Sequence, residues 1–325
     1  MKTETVSADE WNAVARATEM LRQGEAVALP TETVYGLAAD ALREEAVVKI
    51  FEAKARPRFD PLIVHLPDIA WVDRVAKVNS DVRATFDQLC NQFWPGPLTF
   101  VVPRYPIIRD IVTAGLDTVA IRFSSHPILG NIIRHFGRPL AAPSANRFGR
   151  ISPTSAAHVL DELDGLIPLI IDAGPTQHGL ESTIVALRNN RIELLRRGPV
   201  TAEQLAEFGE VVIVDAHRHP EAPGQLPSHY APRTALILVD DLQAFEARSG
   251  QKVGLLSWRT AADARFADTR SLSKRRDLTE AATNLFRMLR DLDAQDLDLI
   301  VAEKVPDQGL GAAINDRLSR AAGRV

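Results

Sequence analysis

Short apolar runs and helical stripes alternate along this chain, and that alternation confines it to an α/β fold. Runs typical of interior strands occupy residues 26–30, 61–66, 97–102, 118–122 and 169–171. Between the first two runs, residues 44–53 place Val47, Ile50 and Phe51 at helical spacing. The pattern predicts a mixed, largely buried sheet with helices packed against it.

The N-terminal segment has the pattern of a helix start. Ser7 and Glu10 have the spacing of a capping box, in which each side chain accepts a hydrogen bond from a backbone N–H at the helix N-terminus. Trp11 opens an apolar stripe that runs to Leu21, and Gly24 is a helix-stopping residue. The sequence therefore predicts a first helix directly after Ser7, with Trp11 on its apolar stripe.

Two domains joined by a proline-rich segment are expected. Asn189 and Asn190 tolerate positive φ and separate two strand-like runs, which predicts a hairpin near the end of a first domain, residues 1–214. Residues 215–234 are rich in proline and histidine without any periodicity, as in a linker. Strand and helix patterns alternate again over 235–325. They predict a small, parallel, Rossmann-like domain without the Gly-x-Gly-x-x-Gly turn of dinucleotide sites.

Composition excludes several classes of protein. A chain of 325 residues, 46% hydrophobic and 25% charged, is long enough to bury two cores. Its net charge of -4 argues against a protein that mainly clamps a nucleic-acid backbone, so any basic site must be local. Cys90 is the single cysteine, which excludes an intramolecular disulfide, and no apolar stretch reaches membrane-spanning length. We expect a cytoplasmic protein, with no membrane partner and no protein-bound metal.

Two polar segments, each at the end of an apolar run, suggest one site. Lys54 and Arg56 are two residues apart, so both cations can point at a single polyanion. Ser144 and Asn146 offer neutral donors to phosphate or ribose oxygens. Together they suggest a nucleotide site without a P-loop. The alternatives are solvated cations at a helix C-terminus and residues that merely form a turn.

Five motifs, in chain order, resemble those of the YrdC-type threonylcarbamoyl-AMP synthases. They are PTETVYGL at 30–37, KARP with PLIVH at 54–65, WPGPLT at 94–99, APSAN at 142–146 and ESTIV at 181–185. HYAP at 229–232 and GLGAAINDR at 309–317 resemble the long, two-domain form of that family. The resemblance covers nearly the whole chain. It implies a YrdC-like twisted mixed sheet with helices, followed by a small Rossmann-like parallel α/β domain.

The resemblance also implies an enzyme of the nucleotidyltransferase class. Such an enzyme joins L-threonine, bicarbonate and ATP into L-threonylcarbamoyl-AMP and releases pyrophosphate. ATP would be a substrate, and Mg²⁺ would be carried by the nucleotide rather than held in a protein cage. The product would pass to a tRNA threonylcarbamoyl transferase for modification of adenosine 37 in tRNA. Direct tRNA binding by this chain is left open.

Motif positions imply individual roles. Lys54 and Arg56 are the candidate catalytic cations, because developing phosphoryl charge has to be stabilised. ATP contacts are implied for Arg56, Asp60, Thr118, Ser144, Asn146, Ser152, Arg196 and Tyr230. Threonine contacts are implied for Thr33, His65, Arg122, Ser182 and the backbone of Ala142. Arg122 would clamp the amino-acid carboxylate in a bidentate manner.

Asp60 and the linker carry two further hypotheses. The family generally has asparagine where this chain has Asp60, which places an anion near the triphosphate. The proline-rich linker is expected to act as a lid, with His229 and Tyr230 closing over the nucleotide and excluding water. A passive tether is the alternative reading of the same segment.

Two other functions are compatible with a YrdC-like domain. One is a carbamoyl or adenylyl transferase on the same fold, which would normally need a further catalytic domain. The other is an RNA-binding module, which would need a broad basic face with interleaved aromatic residues. The aromatic content of 6% and the negative net charge favour the synthase over the RNA-binding module.

Overall fold

Two β-sheets organise the residues that the structure describes. The computed structural model covers residues 2–214, 221–224, 230–259 and 264–323, so residues 215–220 and 225–229 of the expected linker lie outside the described residues. The chain divides into two units. The first comprises Met1–Phe148, Pro153–Gln177 and Glu181–Leu226, and the second Gly149–Ser152, His178–Leu180 and Pro227–Val325. Each unit contains one of the two sheets.

The first unit contains the larger sheet. Its strands are β1 (Glu4–Ser7), β2 (Val27–Leu29), β3 (Gly36–Asp40), β4 (Ile63–His65), β5 (Leu98–Pro103), β6 (Thr118–Arg122), β7 (Leu140–Ala141), β8 (Leu169–Asp172), β9 (Thr183–Arg188), β10 (Arg191–Arg196) and β11 (Glu210–Ile213). Its helices are α1 (Ala13–Arg22), α2 (Glu44–Lys54), α3 (Val72–Val75), α4 (Arg83–Phe93), α5 (Asp110–Thr113), α6 (Pro127–Phe136), α7 (Ala156–Leu163) and α8 (Ala202–Leu205).

The larger sheet is mixed, as the sequence predicts. Its strand order is β1-β8-β2-β3-β7-β4-β6-β5-β9-β10-β11. In the centre, β4 and β6 are parallel, β6 and β5 antiparallel, and β5 and β9 parallel. The five predicted strand runs all lie in this sheet, as β2, β4, β5, β6 and β8. The predicted helix over 44–53 is α2.

The two faces of the central strands carry apolar clusters of different size. One face joins the large helix-covered core, with Val64, Phe100, Ile121 and Val185 among its members. The opposite face carries a smaller apolar cluster that includes Ile63, Val101, Ala120, Ile184 and Ala186. Because side chains alternate between faces along a strand, polar residues two positions from this smaller cluster project to the same side.

The N-terminal helix begins later than predicted. Ser7 ends strand β1, where its hydroxyl accepts from the Asp9 N–H and its own N–H donates to Glu10, both at 3.3 Å. These bonds close a turn, and α1 starts only at Ala13. Trp11 is 95% exposed and lies off the buried stripe. The prediction was wrong because the side-chain bonds of a capping box also stabilise a turn after a strand.

The predicted hairpin is confirmed, whereas two alanine-rich strands were missed. β9 and β10 pair antiparallel, and Asn189 and Asn190 have φ of 52° and 57° at their turn. β3 (GLAAD) and β7 (LA) consist mainly of residues with low strand propensity. Tertiary pairing makes them strands, since β3 lies between β2 and β7 in the sheet.

The second unit has the Rossmann-like architecture that the sequence predicts. Its strands are β12 (Leu236–Val239), β13 (Val253–Ser257), β14 (Asp268–Ser271) and β15 (Leu299–Glu303), in the order β12-β15-β13-β14 with every pair parallel. α9 (Leu278–Asp293) contacts β13, and α10 (Leu310–Ala322) contacts β12 and α9. β14 was not predicted, because DTRS is a polar edge strand without an apolar run.

A glycine after β10 allows two backbone segments to approach closely. A Cβ on Gly198 would lie 2.5 Å from the backbone nitrogen of Thr183 and 2.6 Å from the carbonyl oxygen of Glu181. Thr183 also exchanges two hydrogen bonds with the backbone of Val200, at 2.7 and 2.9 Å. Gly198 and Thr183 together fix the start of β9.

We expect Gly198→Ala to destabilise the first unit by about 2–3 kcal/mol, because backbone atoms must move to admit the methyl group. Urea unfolding of the full chain measures this loss. Gly115→Ala is the control, since a Cβ there meets nothing within 4 Å and only its φ of +82° opposes the substitution. Its expected cost is about 1 kcal/mol. Equal losses in the two variants would contradict the close-packing account.

Candidate active site

One row of side chains crosses five neighbouring strands of the larger sheet. Its members, in register, are His65 on β4, Arg122 on β6, Thr99 on β5, Ile184 on β9 and Arg196 on β10. Register partners on adjacent strands project to the same face. The row therefore brings three of the residues singled out by sequence, His65, Arg122 and Arg196, to one side of the sheet, beside the smaller apolar cluster.

Arg122 is buried beside an anion that the sequence analysis did not assign. Its Nη2 is 2.7 Å from Oε1 of Glu32, and its Nε donates to the carbonyl of Gly96 at 3.3 Å. The Ser124 hydroxyl donates to the other oxygen of Glu32. Burial alone would raise the pKa of Glu32, but the charge of Arg122 and the hydrogen bond from Ser124 lower it to about 2. Glu32 is therefore ionised at neutral pH and balances the guanidinium.

His65 is a neutral neighbour of this ion pair. Burial and the positive charge of Arg122 lower the pKa of His65 to about 3, against the opposing effects of the Glu32 charge and of the backbone of Ala142. The imidazole therefore offers one donor and one acceptor at neutral pH. The backbone of Ala142, which follows β7, therefore lies near His65, as Arg122 does.

The turn after β2 supplies two buried hydroxyl groups. Oγ1 of Thr31 lies 2.8 Å from Oγ1 of Thr33 and accepts from the Thr33 N–H at 3.0 Å. The Thr31 hydroxyl also lies 2.7 Å from the carbonyl of Val34, as its donor. These bonds lock the backbone on both sides of Glu32, so its carboxylate is directed by a rigid turn.

Ser182 contacts two members of the row, Thr99 and Arg196. Its hydroxyl lies 2.8 Å from that of Thr99 and accepts from Nη2 of Arg196 at 3.1 Å. Arg196 donates from Nε to the carbonyl of Ser182 and from Nη1 to that of Pro223, both at 3.0 Å. A residue implied in threonine contact thus touches one implied in ATP contact. Pro223 belongs to the described part of the linker, residues 221–224, so this hydrogen bond places that part of the linker beside Arg196.

Lys54 holds the Ser144–Asn146 loop in place. Its ammonium donates to the carbonyls of Ser144 and Asn146, which confirms that the two polar segments converge. Lys54 is 1% exposed, so the alternative of a solvated helix-end cation is wrong. Burial and the nearby charge of Arg56 hold the pKa of Lys54 well below its usual value. The next residue, Ala55, ends α2 in the left-handed region, at φ 50°.

Arg56 and Asp60 form a second buried ion pair. Nη2 of Arg56 is 2.8 Å from Oδ2 of Asp60, and the guanidinium also donates to the carbonyls of Asp60 at 3.2 Å and Pro61 at 2.9 Å. Burial raises the pKa of Asp60, while the charges of Arg56, Lys54 and Arg196 oppose the rise. The charges of all three cations implied in phosphate contact therefore favour the ionised form of one carboxylate, that of Asp60.

The remaining predicted contacts are distributed more widely. Thr118 and Arg122 occupy opposite ends of β6, about 13 Å apart along the strand. Ser152 and Tyr230 belong to the second unit. There the buried ring of Tyr230 stacks on Phe286 with centroids 5.6 Å apart, and the guanidinium of Arg317 lies 4.9 Å from its centroid. His229 lies outside the described residues, so the lid stays a prediction.

Glu32, Thr99 and Ser124 were not among the residues predicted from the sequence. Glu32 lies within the PTETVYGL motif and Thr99 within WPGPLT, so the motifs contained the signal. The partner of Glu32 is ninety positions away, and only the folded chain brings them together. Within the described ranges no group of three or more His, Cys, Asp or Glu side chains could hold a metal ion. None of the helices described has the length and apolarity of a membrane span.

Comparison with known families assigns the fold. A family model described as "Telomere recombination" (Sua5, YciO and YrdC) matches residues 19–198, and one described as "Threonylcarbamoyl-AMP synthase, C-terminal domain" matches residues 200–323. The chain belongs to the Sua5/YrdC family of threonylcarbamoyl-AMP synthases. Both models match in sequence order, so it has the long, two-domain form.

Individual relatives in this family match over nearly their whole length. The threonylcarbamoyl-AMP synthase of Bacillus subtilis is 41% identical, covering 95% of this chain and 93% of the relative. That of Pyrococcus abyssi is 40% identical, covering 97% and 95%. The crystal structure of P. abyssi Sua5 complexed with L-threonine has a TM-score of 0.88 at 36% identity, covering 99% of this chain and 98% of that one. The structural match confirms the expected α/β fold, and the names of the relatives support an enzyme.

The Glu32–Arg122 pair predicts a specific pH dependence of stability. The pKa of Glu32 falls from 4.5 to about 2 on folding, so its contribution is fully present above pH 4.5 and is lost as pH falls through 2. That contribution amounts to about 3 kcal/mol. The free energy of unfolding of the wild type should exceed that of Glu32→Gln at pH 7, and the gap should close between pH 5 and 2. A gap independent of pH would contradict this account.

Proposed function

We propose that this chain is an L-threonylcarbamoyl-AMP synthase that uses L-threonine, bicarbonate and ATP. The threonine amine and bicarbonate form a carbamate with loss of water. A carbamate oxygen then attacks the α-phosphorus of ATP, the bond to the β-phosphate oxygen breaks, and pyrophosphate leaves. The reaction needs two anions, the carbamate and the triphosphate, to be held together while negative charge develops at the α-phosphate.

The row of side chains across the sheet is the observation that carries this proposal. Arg122 lies opposite Thr99 on the face that carries the smaller apolar cluster, and the Ser182 hydroxyl contacts both Thr99 and Arg196. A guanidinium next to small apolar and hydroxyl-bearing residues suits the carboxylate and side chain of threonine. The P. abyssi relative binds L-threonine, which supports the same ligand here.

Arg196 of this row, together with Lys54 and Arg56, suits the nucleotide. Arg56 and Arg196 can contact phosphate oxygens, and Lys54 acts both as a charge and as the tether of the loop that carries Ser144 and Asn146. Catalysis then rests on positioning and on preorganised charge, with Mg²⁺ entering on the triphosphate. Thr118, Ser152 and Tyr230 are proposed ATP contacts on the motif resemblance alone.

The product is a mixed anhydride, so it needs a prompt acceptor. We propose that a tRNA threonylcarbamoyl transferase receives it and modifies adenosine 37. A lid formed by the linker would keep water from the carbamate and the anhydride in the meantime. The contact between Pro223 and Arg196 supports a linker that takes part in the site.

Strict dependence on three substrates is the first expectation. Pyrophosphate release from ATP should require both L-threonine and bicarbonate, because neither alone supplies the attacking carbamate oxygen. A coupled pyrophosphate assay with each component omitted in turn measures this, and mass spectrometry identifies the adenylate. Equal release without threonine would exclude the proposed reaction.

Arg122→Ala should chiefly raise KM for threonine, because a carboxylate clamp binds ground state and transition state alike. The expected increase is about a hundredfold, the effect of losing a bidentate charged contact. Steady-state kinetics with threonine and with ATP as the varied substrate separate the two effects. An increase confined to KM for ATP would show that Arg122 contacts the nucleotide rather than threonine.

Asp60→Asn should lower KM for ATP by about three- to tenfold, because the carboxylate competes with phosphate for the three cations. The amide keeps the shape of the side chain and removes its charge. Asp87→Asn is the matched control, since Asp87 pairs with Arg83 on the surface of α4. A higher KM for ATP in Asp60→Asn would mean that the ion pair with Arg56 supports nucleotide binding.

A further inference from the structure

Glu32 is a buried anion that the proposed reaction does not use. One carboxylate oxygen meets the Arg122 guanidinium, and the other accepts from the Ser124 hydroxyl. The Ser124 oxygen in turn accepts from the N–H of His126 at 3.2 Å. On the other side, the locked turn of Thr31 and Thr33 holds the backbone. The carboxylate is therefore fixed both through its own oxygens and through its main chain.

These contacts leave one edge of the guanidinium without a hydrogen-bond acceptor among the described residues. Nε of Arg122 donates to the Gly96 carbonyl, and Nη2 faces Glu32. Among the described residues, no protein group accepts a hydrogen bond from Nη1. Nη2 carries two hydrogens, so the edge formed by Nη1 and Nη2 retains the parallel donors that a carboxylate needs for bidentate binding.

We infer that Glu32 is a positioning residue, which holds the guanidinium of Arg122 in the orientation that receives the carboxylate of the amino-acid substrate. This inference rests on the proposed function. An arginine side chain has many rotamers, and ordering it on binding costs affinity. Glu32 orders it beforehand. It also compensates the charge of Arg122 in the empty site, where an unpaired buried guanidinium would be strongly unfavourable.

Ser124 holds Glu32 as Glu32 holds Arg122. Its hydroxyl donates to Glu32, so it restrains the carboxylate directly. Ser124 lies two residues after Arg122 in the chain, so the segment that carries the cation also carries the restraint on its partner. Removing this hydroxyl should weaken the positioning without removing the charge of Glu32.

The test measures threonine binding by the full chain, by calorimetry and by steady-state kinetics. Glu32→Gln keeps the side-chain volume and removes the charge. The Kd and KM for threonine should rise about tenfold, while KM for ATP stays within about twofold. Glu25→Gln is the matched control, because Glu25 pairs with Lys49 at 2.7 Å in a partly exposed position away from this group. It should leave both constants unchanged.

A double-mutant cycle separates positioning from general stability. If Glu32 acts through Arg122, then Glu32→Gln should add little to the threonine KM of Arg122→Lys. Ser124→Ala should raise the KM for threonine by about threefold, and it carries the test if Glu32→Gln fails to fold. Unchanged threonine Kd in the folded variants, or fully additive effects in the cycle, would overturn the inference.

A wrong reaction and a wrong role for Glu32 give different results in these experiments. If the wild type releases no threonine-dependent pyrophosphate, the reaction is wrong, whatever the variants do. If the wild type turns over normally and Glu32→Gln raises the KM values for threonine and ATP equally, only the positioning role is wrong.

Discussion

The site depends on the register of strands β4, β6, β5, β9 and β10. A strand shifted by one residue turns every side chain to the opposite face, so the row from His65 to Arg196 exists only in this register. The apolar residues enforce it. Val64, Phe100 and Ile121 must face the large helix-covered core, and this requirement sends their neighbours His65, Thr99 and Arg122 to the other face. Burial of one face thus positions the chemistry on the other.

Buried charges give the site its electrostatic character. Arg122 with Glu32 and Arg56 with Asp60 are ion pairs whose side chains are at most 4% exposed. Compared with apolar residues of the same volume, buried ion pairs add little net stability, because desolvation offsets most of the attraction. Their benefit is order, since each cation is held in one orientation before a ligand arrives. The region that we propose to receive two anionic substrates therefore already contains two carboxylates, those of Glu32 and Asp60. Bound substrates would share the same cations with these carboxylates.

The loops around the sheet are fixed by backbone contacts over long sequence separations. Lys54 binds the carbonyls of Ser144 and Asn146, and Gly198 lies against the chain at Ser182 and Thr183. The first contact holds the loop after β7, which carries Ser144 and Asn146. The second holds the start of β9, next to Ser182. The rigid sheet and these few tethers together explain how residues from at least seven chain segments reach one region of the first unit.

The sequence by itself determined the fold class, the interior strands, the Asn189–Asn190 hairpin and the candidate residues, because strand and helix periods and short motifs are local properties of a chain. Only the tertiary structure decided three things. It made the capping-box pattern at Ser7 a turn after β1, and it made strands of the alanine-rich β3 and β7, because pairing with neighbours overrides local propensity. It also joined Glu32 to Arg122 and Asp60 to the cations, since ion pairing depends on distances in space that no local pattern encodes.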